Sequence, residues 1–234
     1  MNAQPELRDQ DRIANAREVA NYFREDCRTL RDSLQLEMVV AQYLVQMRDV
    51  RSPEGVPVGD AVRAGVIAEL ERHGDPLSHV MLRGLAYLGT GETAARSAEA
   101  VARLAERGIG LTVTFGDVGG AWAVGAWRAT QGGRRGEYAL FVEYEHALGT
   151  RHSIAVFVRG GVARHIGLMH PMNDFDADNP FHPSAMETLE LDAATDRLRD
   201  VIDRSFGTGS DDYRVLIAAA RVRRRTAGLS GARL

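Results

Sequence analysis

The sequence predicts an α+β fold, in which a helical N-terminal half is followed by an antiparallel β-meander covered by C-terminal helices. Three observations support this prediction. Apolar residues recur at helical spacing through the first half of the chain. Within residues 111–170, apolar and polar residues then alternate in short stretches that are rich in β-branched and aromatic residues. Glycine-containing turns separate these stretches. After Asp192 the apolar residues return to helical spacing, which continues into an arginine-rich stretch.

The first 57 residues are predicted to form a helical arm and a linker. Ile13, Ala16 and Phe23 share one face of a helix, and a second apolar set follows in residues 34–47. Proline and glycine mark residues 51–57 as a loop. We expect this arm to pack on the main body or on a second copy of the chain. An amphipathic arm ahead of a linker favours a homo-oligomer formed through the N-terminal helices.

Residues 58–234 are predicted to form a single α+β domain that begins with three helices between residues 60 and 107. Asp60 is expected to cap the first of these helices. Asp75 and Pro76 supply an N-cap and a first-turn proline for the second. The third carries alanine-rich packing positions and ends at a glycine.

The meander is predicted to contain five strands, and their short connections require antiparallel neighbours. Their ranges are 111–115, 122–129, 138–146, 154–158 and 162–168. Alternation along the second strand places Trp122 and Trp127 on opposite faces, one in the core and one towards a groove or a subunit interface. Helices within residues 187–226 are predicted to cover the sheet.

Composition excludes several classes of function. The formal charge of -3 and the isoelectric point near 6.2 give no overall attraction to nucleic acids or anionic membranes. The chain contains no lysine, which removes Schiff-base and pyridoxal phosphate chemistry and the Walker A phosphate site. No apolar run is long enough to span a bilayer, the N-terminal residues lack the pattern of a secretory signal, and Cys27 is the single cysteine. We therefore expect a cytoplasmic protein.

Five of the seven histidines lie in the second half of the meander and the loop that follows it. Strand alternation places Glu143 and Glu145 on one face of the sheet and His146 on the other. Imidazole and carboxylate ligands suit zinc, manganese or iron, so a divalent metal could be held by Glu143, His146, His152 and His165. Glu145 and His146 would then be the catalytic residues of a metal-assisted hydrolase. The alternative is a set of half-exposed sheet residues paired with arginines.

Residues 89–94, Gly-Thr-Gly-Glu-Thr-Ala, fit a dinucleotide-binding fingerprint. The helix and strand predicted after them fit as well, and Asp117 provides the acid that would bind the ribose. The residues before them are predicted to form a helix that begins at Pro76, where the fingerprint requires a strand. A turn between two helices is therefore the favoured interpretation.

Three further features favour structural interpretations. Residues 174–178 resemble the start of a calcium-binding loop, but Asn179 stands where the loop needs glycine, which favours a solvated acidic loop. The arginines within residues 221–225 could bind phosphate, although cations in the last turn of a helix also complement its dipole. Cys27 has no histidine nearby in sequence and is predicted to be a packing or surface thiol.

Residues 138–142 read Tyr-Ala-Leu-Phe-Val, and residues 145–150 read Glu-His-Ala-Leu-Gly-Thr. This strand and turn, between a helical front half and an Ala/Arg-rich closing helix, resemble a group of uncharacterised actinobacterial proteins. In that group the turn reads Asp-His-Asn-Leu-Gly-Gly, so Glu145, Ala147 and Thr150 replace the Asp, the Asn and the second Gly. The resemblance implies an α+β fold and no particular activity.

We therefore predict a non-catalytic binding or assembly module that acts through the sheet face and the N-terminal arm on an unknown protein or small-molecule partner. The metal-assisted hydrolase is the second hypothesis and a dinucleotide-binding enzyme the third. A nucleic-acid binder that acts through the arginine-rich end is the fourth, and no membrane partner is expected.

Overall fold

The computed structural model describes most of the chain in two compact units, residues 1–119 and 120–234. The described residues are 4–48, 50–51, 55–110, 115, 118–130, 136–206 and 212–228, with side chains described from residue 16 to residue 222. The division between the units falls after Gly119, and the boundary after residue 57 stays a prediction. Helices and an antiparallel sheet confirm the predicted α+β class.

The first unit is helical, as predicted. Its helices are α1 (Gln4–Arg28), α2 (Ser33–Gln46), α3 (Gly59–His73), α4 (Pro76–Leu88) and α5 (Gly91–Glu106). The predicted arm corresponds to α1 and α2, which pack on α3 and α4 respectively. No helix in the described parts of the chain combines the length and the hydropathy of a membrane-spanning segment.

The apolar face of the arm is buried within the first unit. Ala20, Phe23 and Val40 are fully or almost fully buried, and the Phe23 ring stacks on Tyr43 at 4.4 Å between centroids. Packing within the unit therefore accounts for the apolar spacing of α1 and α2. Self-association through these helices stays a prediction, and it would use the residues left at the surface, among them Tyr22 at 66% exposure.

Cys27 is one of the buried residues of α1. Burial, assisted by the negative charge of Asp26, raises the pKa of the Cys27 thiol to about 12. A thiol that stays protonated is a poor nucleophile. This environment supports the prediction of a packing residue.

Of the N-caps predicted for α3 and α4, only that of α4 is confirmed. The Asp75 side chain accepts the backbone N–H of Ser78, which confirms the predicted N-cap of α4. The prediction that Asp60 caps α3 is wrong. The N-cap of that helix is Val58, so Asp60 lies inside the first turn, where it pairs with Arg63.

Among its described residues, the second unit contains a five-stranded antiparallel sheet and two α-helices. Its elements are β1 (Trp122–Thr130), β2 (Glu137–Glu145), β3 (Arg151–Arg159), β4 (Val162–Met169), β5 (Glu187–Thr188), α6 (Leu191–Phe206) and α7 (Tyr213–Gly228). The strand order is β4-β3-β2-β1-β5. Four of the five predicted strands are confirmed. The remaining one, predicted for residues 111–115, lies outside the described residues except for Phe115. Residues 187–188, which the sequence assigned to the C-terminal helices, instead pair with Trp127 and Arg128 of β1.

The two faces of the sheet carry different cores. One face, here called the helix-covered face, packs Leu140, Val142 and Val156 against Leu198 of α6 and Val215 of α7. The opposite face, here called the aromatic face, carries Trp127, Phe141 and Phe157 together with Met172, Phe175 and Phe181 from the segment after β4. Apolar side chains on both faces of β2 and β3 explain why these two strands are almost continuously buried.

A β-bulge in β1 reverses the prediction for the tryptophans. Ala123 pairs with Tyr144 and Gly125 pairs with Glu143, so Val124 is an additional residue in β1. The alternation of β1 shifts by one position at this point. Trp122, which pairs with Glu145, and Trp127, which pairs with Phe141, therefore lie on the same aromatic face and not on opposite faces.

Replacement of Asp75 by alanine tests the packing of α1 against α4. The Asp75 carboxylate caps α4 and accepts two hydrogen bonds from Arg24, at 3.0 and 2.5 Å, and Arg24 is 7% exposed. Asp75→Ala removes the cap and leaves a buried guanidinium without its carboxylate. We expect the free energy of unfolding to fall by about 2–4 kcal/mol in denaturant titrations.

Asp32, which caps α2 through the N–H of Gln35, provides the matched control because its cap is exposed. Asp32→Ala should cost about 1 kcal/mol. The hydrogen bond from Arg24 holds the pKa of Asp75 well below its usual range. The contribution of Asp75 is therefore present at neutral pH and is lost as the pH falls below the ordinary aspartate value. Equal losses in the two variants would contradict the Arg24 contact.

Candidate functional site

Alternation along β2 divides the predicted site residues between the two faces of the sheet. Glu143 lies opposite Ser153, and Glu145 lies opposite Arg151, all on the aromatic face. Tyr144 lies opposite His152 on the helix-covered face. The glutamates therefore lie on the face opposite to His152 and its neighbour His146, as the sequence predicted.

The structure does not bring the predicted metal ligands together. His146 and His152 are neighbours on the helix-covered face, 5.4 Å apart between ring centroids. Glu143 is on the aromatic face, and His165 lies there too, exposed and 6.0 Å from the ring of Phe157. Among the described residues no group of three or more His, Cys, Asp or Glu side chains could hold a metal ion.

Glu145 and His146, the predicted catalytic pair, likewise have different surroundings although they are adjacent in sequence. Glu145 binds Arg151 with 2.9 Å between carboxylate oxygen and guanidinium nitrogen. His146 is 1% exposed, and its Nε2 lies 3.3 Å from a guanidinium nitrogen of Arg221 on α7. The two side chains therefore face different surroundings, and their catalytic role stays a prediction.

Glu143 anchors the segment that follows β4. Its side chain is buried and accepts the backbone N–H of Met172 at 2.6 Å. A guanidinium nitrogen of Arg151 lies 3.7 Å from its other oxygen. Met172 is itself fully buried against Phe141, so the carboxylate fixes the point at which this segment covers the aromatic face. Glu143 therefore has a structural partner for each of its two oxygens.

Trp122, Glu145 and Arg151 form a row across β1, β2 and β3 at one end of the aromatic face. Trp122 is 49% exposed, an unusual fraction for so large an apolar side chain. Leu148, in the turn between β2 and β3, is 58% exposed at the same end of the sheet. We call these four residues the Trp122 patch. The patch combines exposed apolar surface with one ion pair.

Gly125 explains how the neighbouring Trp127 is held. A Cβ atom at Gly125 would lie 2.2 Å from the indole of Trp127, so the ring lies directly over the glycine. The indole also packs against the aromatic core of this face. Trp127 is therefore a structural residue, and Trp122 is the tryptophan that remains accessible.

A second polar group, here called the imidazole–arginine cluster, is buried on the helix-covered face. It consists of Tyr144, His146, His152 and Arg221, none of which is more than 3% exposed. The Tyr144 and His152 rings stack at 5.7 Å, and the guanidinium carbon of Arg221 lies 5.8 Å from the Tyr144 ring centroid. Burial, and then the positive charge of Arg221 and the proximity of His146, hold the pKa of His152 well below its ordinary value.

The remaining motifs have structural roles. Residues 89–90 connect α4 to α5, and residues 91–94 form the first turn of α5, so a helix precedes the glycines where a dinucleotide fingerprint needs a strand. In the acidic loop Asp174, Asp176 and Asp178 are exposed, as predicted for solvated residues. Arg221, predicted to be a cation in the last turn of the closing helix, is instead buried before that turn, and the side chains from residue 223 onward lie outside the described residues.

Sequence reasoning did not single out Arg151, and it gave Arg221 a role at the helix end instead of a contact with His146. Arg151 could have been identified from the hairpin register, because a short turn places it opposite Glu145. Arg221 had no such signal, since its contact with His146 spans 75 positions of sequence.

Comparisons of this chain with models of known protein families, with curated proteins and with solved structures gave no match. The resemblance to the actinobacterial group stays a prediction.

Replacement of Glu143 tests its structural role. Glu143→Ala leaves the buried N–H of Met172 without its acceptor, and we expect the free energy of unfolding to fall by about 2–3 kcal/mol in denaturant titrations. Glu143→Gln keeps an acceptor oxygen and should recover most of this loss. Glu145→Ala removes a partly exposed ion pair and should cost at most about 1 kcal/mol. A larger loss for Glu145→Ala than for Glu143→Ala would contradict the assignment.

Proposed function

We propose that this protein is a non-catalytic binding module whose partner is a protein segment that docks on the Trp122 patch. The observation that carries the proposal is the half-exposed Trp122 ring in one cross-strand row with Glu145 and Arg151. Tryptophan and arginine are the residue types that most often dominate binding energy at protein interfaces. Because the β-sheet already holds Trp122 and Arg151 in place, binding would not require this part of the backbone to become ordered.

The charges of the patch favour a basic side chain on the partner. Arg151 binds Oε2 of Glu145, and within the described residues Oε1 of this carboxylate has no hydrogen-bond partner. Behind this ion pair, the buried carboxylate of Glu143 lies 3.7 Å from Arg151 and adds a second negative charge to its surroundings. The face of an indole ring attracts a cation as well. An arginine or lysine side chain over Trp122, flanked by an apolar residue against Leu148, satisfies these features together.

The surroundings of the glutamates and histidines support a binding role over hydrolysis. Glu143 is buried with its oxygens directed to Met172 and Arg151, so it is poorly placed to move protons to or from a substrate. His146 and His152 are buried on the other face of the sheet. General acid–base catalysis requires such groups within hydrogen-bond reach of one reacting atom.

Selection from a random peptide library displayed on phage tests the proposal. Peptides that bind the wild-type protein should be enriched in arginine or lysine next to apolar residues. Binding should be lost in Trp122→Ala, and it should weaken about tenfold in Glu145→Gln, which removes a charge–charge contact of about 1–2 kcal/mol. Affinities of the selected peptides would be measured by fluorescence in a Trp127→Phe background, where Trp122 is the only tryptophan.

Tyr22→Ala is the control, because it removes an aromatic ring that is 66% exposed in the other unit and should leave binding unchanged. Peptides that bind equally well to Trp122→Ala would contradict the proposed site. An acidic consensus would contradict the proposed partner chemistry.

A further inference from the structure

The closing helix α7 approaches the end of the sheet that carries the Trp122 patch. A guanidinium nitrogen of Arg221 on α7 lies 3.3 Å from the Nε2 atom of His146. His146 directly follows Glu145 of the patch, in the turn between β2 and β3. Beyond Arg221 the helix continues to Gly228, which adds about 10 Å at 1.5 Å per residue. The residues after Gly228 therefore begin close to the patch.

The sequence that follows α7 has the chemistry that the patch favours. Residues 229–234, here called the Arg233 segment, read Leu-Ser-Gly-Ala-Arg-Leu and lie outside the described residues. A cation and a large apolar residue are adjacent at Arg233 and Leu234. The arginines at positions 223–225 lie within α7, and the large apolar residue beside them, Val222, is buried in the core. The Arg233 segment is thus the better match to the patch.

The length of the Arg233 segment allows it to reach the patch of its own chain. Six extended residues span up to about 20 Å. Neighbouring strands lie about 4.8 Å apart, and Trp122 is the cross-strand neighbour of Glu145. A short tether also raises the local concentration of a ligand to the millimolar range. A contact too weak to hold two separate molecules together is therefore populated when both sides belong to one chain.

The patch offers this segment an oxygen, an aromatic ring and an apolar side chain. Oε2 of Glu145 is bound by Arg151, whereas Oε1 accepts no hydrogen bond within the described residues. Because Trp122 lies opposite Glu145, a guanidinium over the indole ring is also next to this carboxylate. Leu148 follows in the adjacent turn and is exposed. A cation with a leucine beside it can contact all three groups.

We propose that the Arg233 segment docks on the Trp122 patch of its own chain, with Arg233 over the indole ring and Leu234 against Leu148, and that it competes there with the partner segment. This inference rests on the function proposed for the patch. An external peptide must displace the Arg233 segment, so its apparent affinity is reduced in proportion to the fraction of chains in which the patch is free.

Paramagnetic relaxation enhancement in the full chain tests the contact directly. Replacement of Cys27, the single cysteine, by alanine and of Ser230 by cysteine allows a nitroxide label to be attached to the Arg233 segment alone. The oxidised label should remove most of the intensity of the indole N–H signal of Trp122. The backbone N–H signal of Val162, at the opposite end of the sheet, should keep its intensity.

Two charge-matched variants and a mixed sample are the controls. Arg233→Gln should restore the Trp122 signal, whereas Arg225→Gln removes the same charge from α7 and should leave the signal weakened. A mixture of isotope-labelled chains without nitroxide and unlabelled chains with nitroxide should show no loss of intensity. The proposal is overturned if the Trp122 signal is unaffected by the label, if the two variants behave alike, or if the mixture loses intensity, which would place the contact between two copies.

The affinity of a selected basic peptide separates this inference from the function on which it rests. Arg233→Gln should bind the peptide about 3- to 10-fold more tightly than the wild type, because the competing segment no longer occupies the patch. Arg225→Gln should bind it like the wild type. Equal affinities for all three proteins would overturn the competition and leave the proposed function intact. Absence of peptide binding even in Arg233→Gln would overturn the proposed function, and the relaxation measurement alone would then decide whether the Arg233 segment occupies the patch.

Discussion

The alternation of β2 between the two faces of the sheet is the constraint on which both polar regions of the second unit depend. Each residue from Leu140 to Glu145 faces the side opposite to its neighbours. A shift of one residue in this register would bury Glu143 and Glu145 under the helices. The buried Leu140, Phe141 and Val142 oppose such a shift, because their side chains fill the cores of both faces.

This constraint also explains why side chains that are close in sequence have different surroundings. Consecutive residues of a strand are directed to opposite faces, and Glu145, at the end of β2, and His146, in the turn after it, contact different partners. The aromatic face has an accessible tryptophan, Trp122, whereas the helix-covered face packs against α6 and α7. The sheet therefore separates an accessible surface on one side from a buried polar contact on the other.

Much of the fold could be predicted from the sequence, because the periods of apolar residues report burial directly. The four described strands of the meander and the cap at Asp75 followed from such local patterns. The bulge at Val124 could not be predicted, since an additional residue in β1 leaves no mark on its composition. The buried Arg221 and the structural role of Glu143 could not be predicted, because each depends on a contact with a residue distant in sequence, His146 for Arg221 and Met172 for Glu143.

The most direct test of the two-face account is a NOESY spectrum of isotope-labelled protein with assigned side chains. The account predicts NOEs between the rings of His152 and Tyr144 and between His146 and the Arg221 side chain. It also predicts cross-strand NOEs between Trp122 and Glu145. An NOE from the His152 ring to the side chain of Glu143 or Trp122 would place these residues on one face and contradict the account.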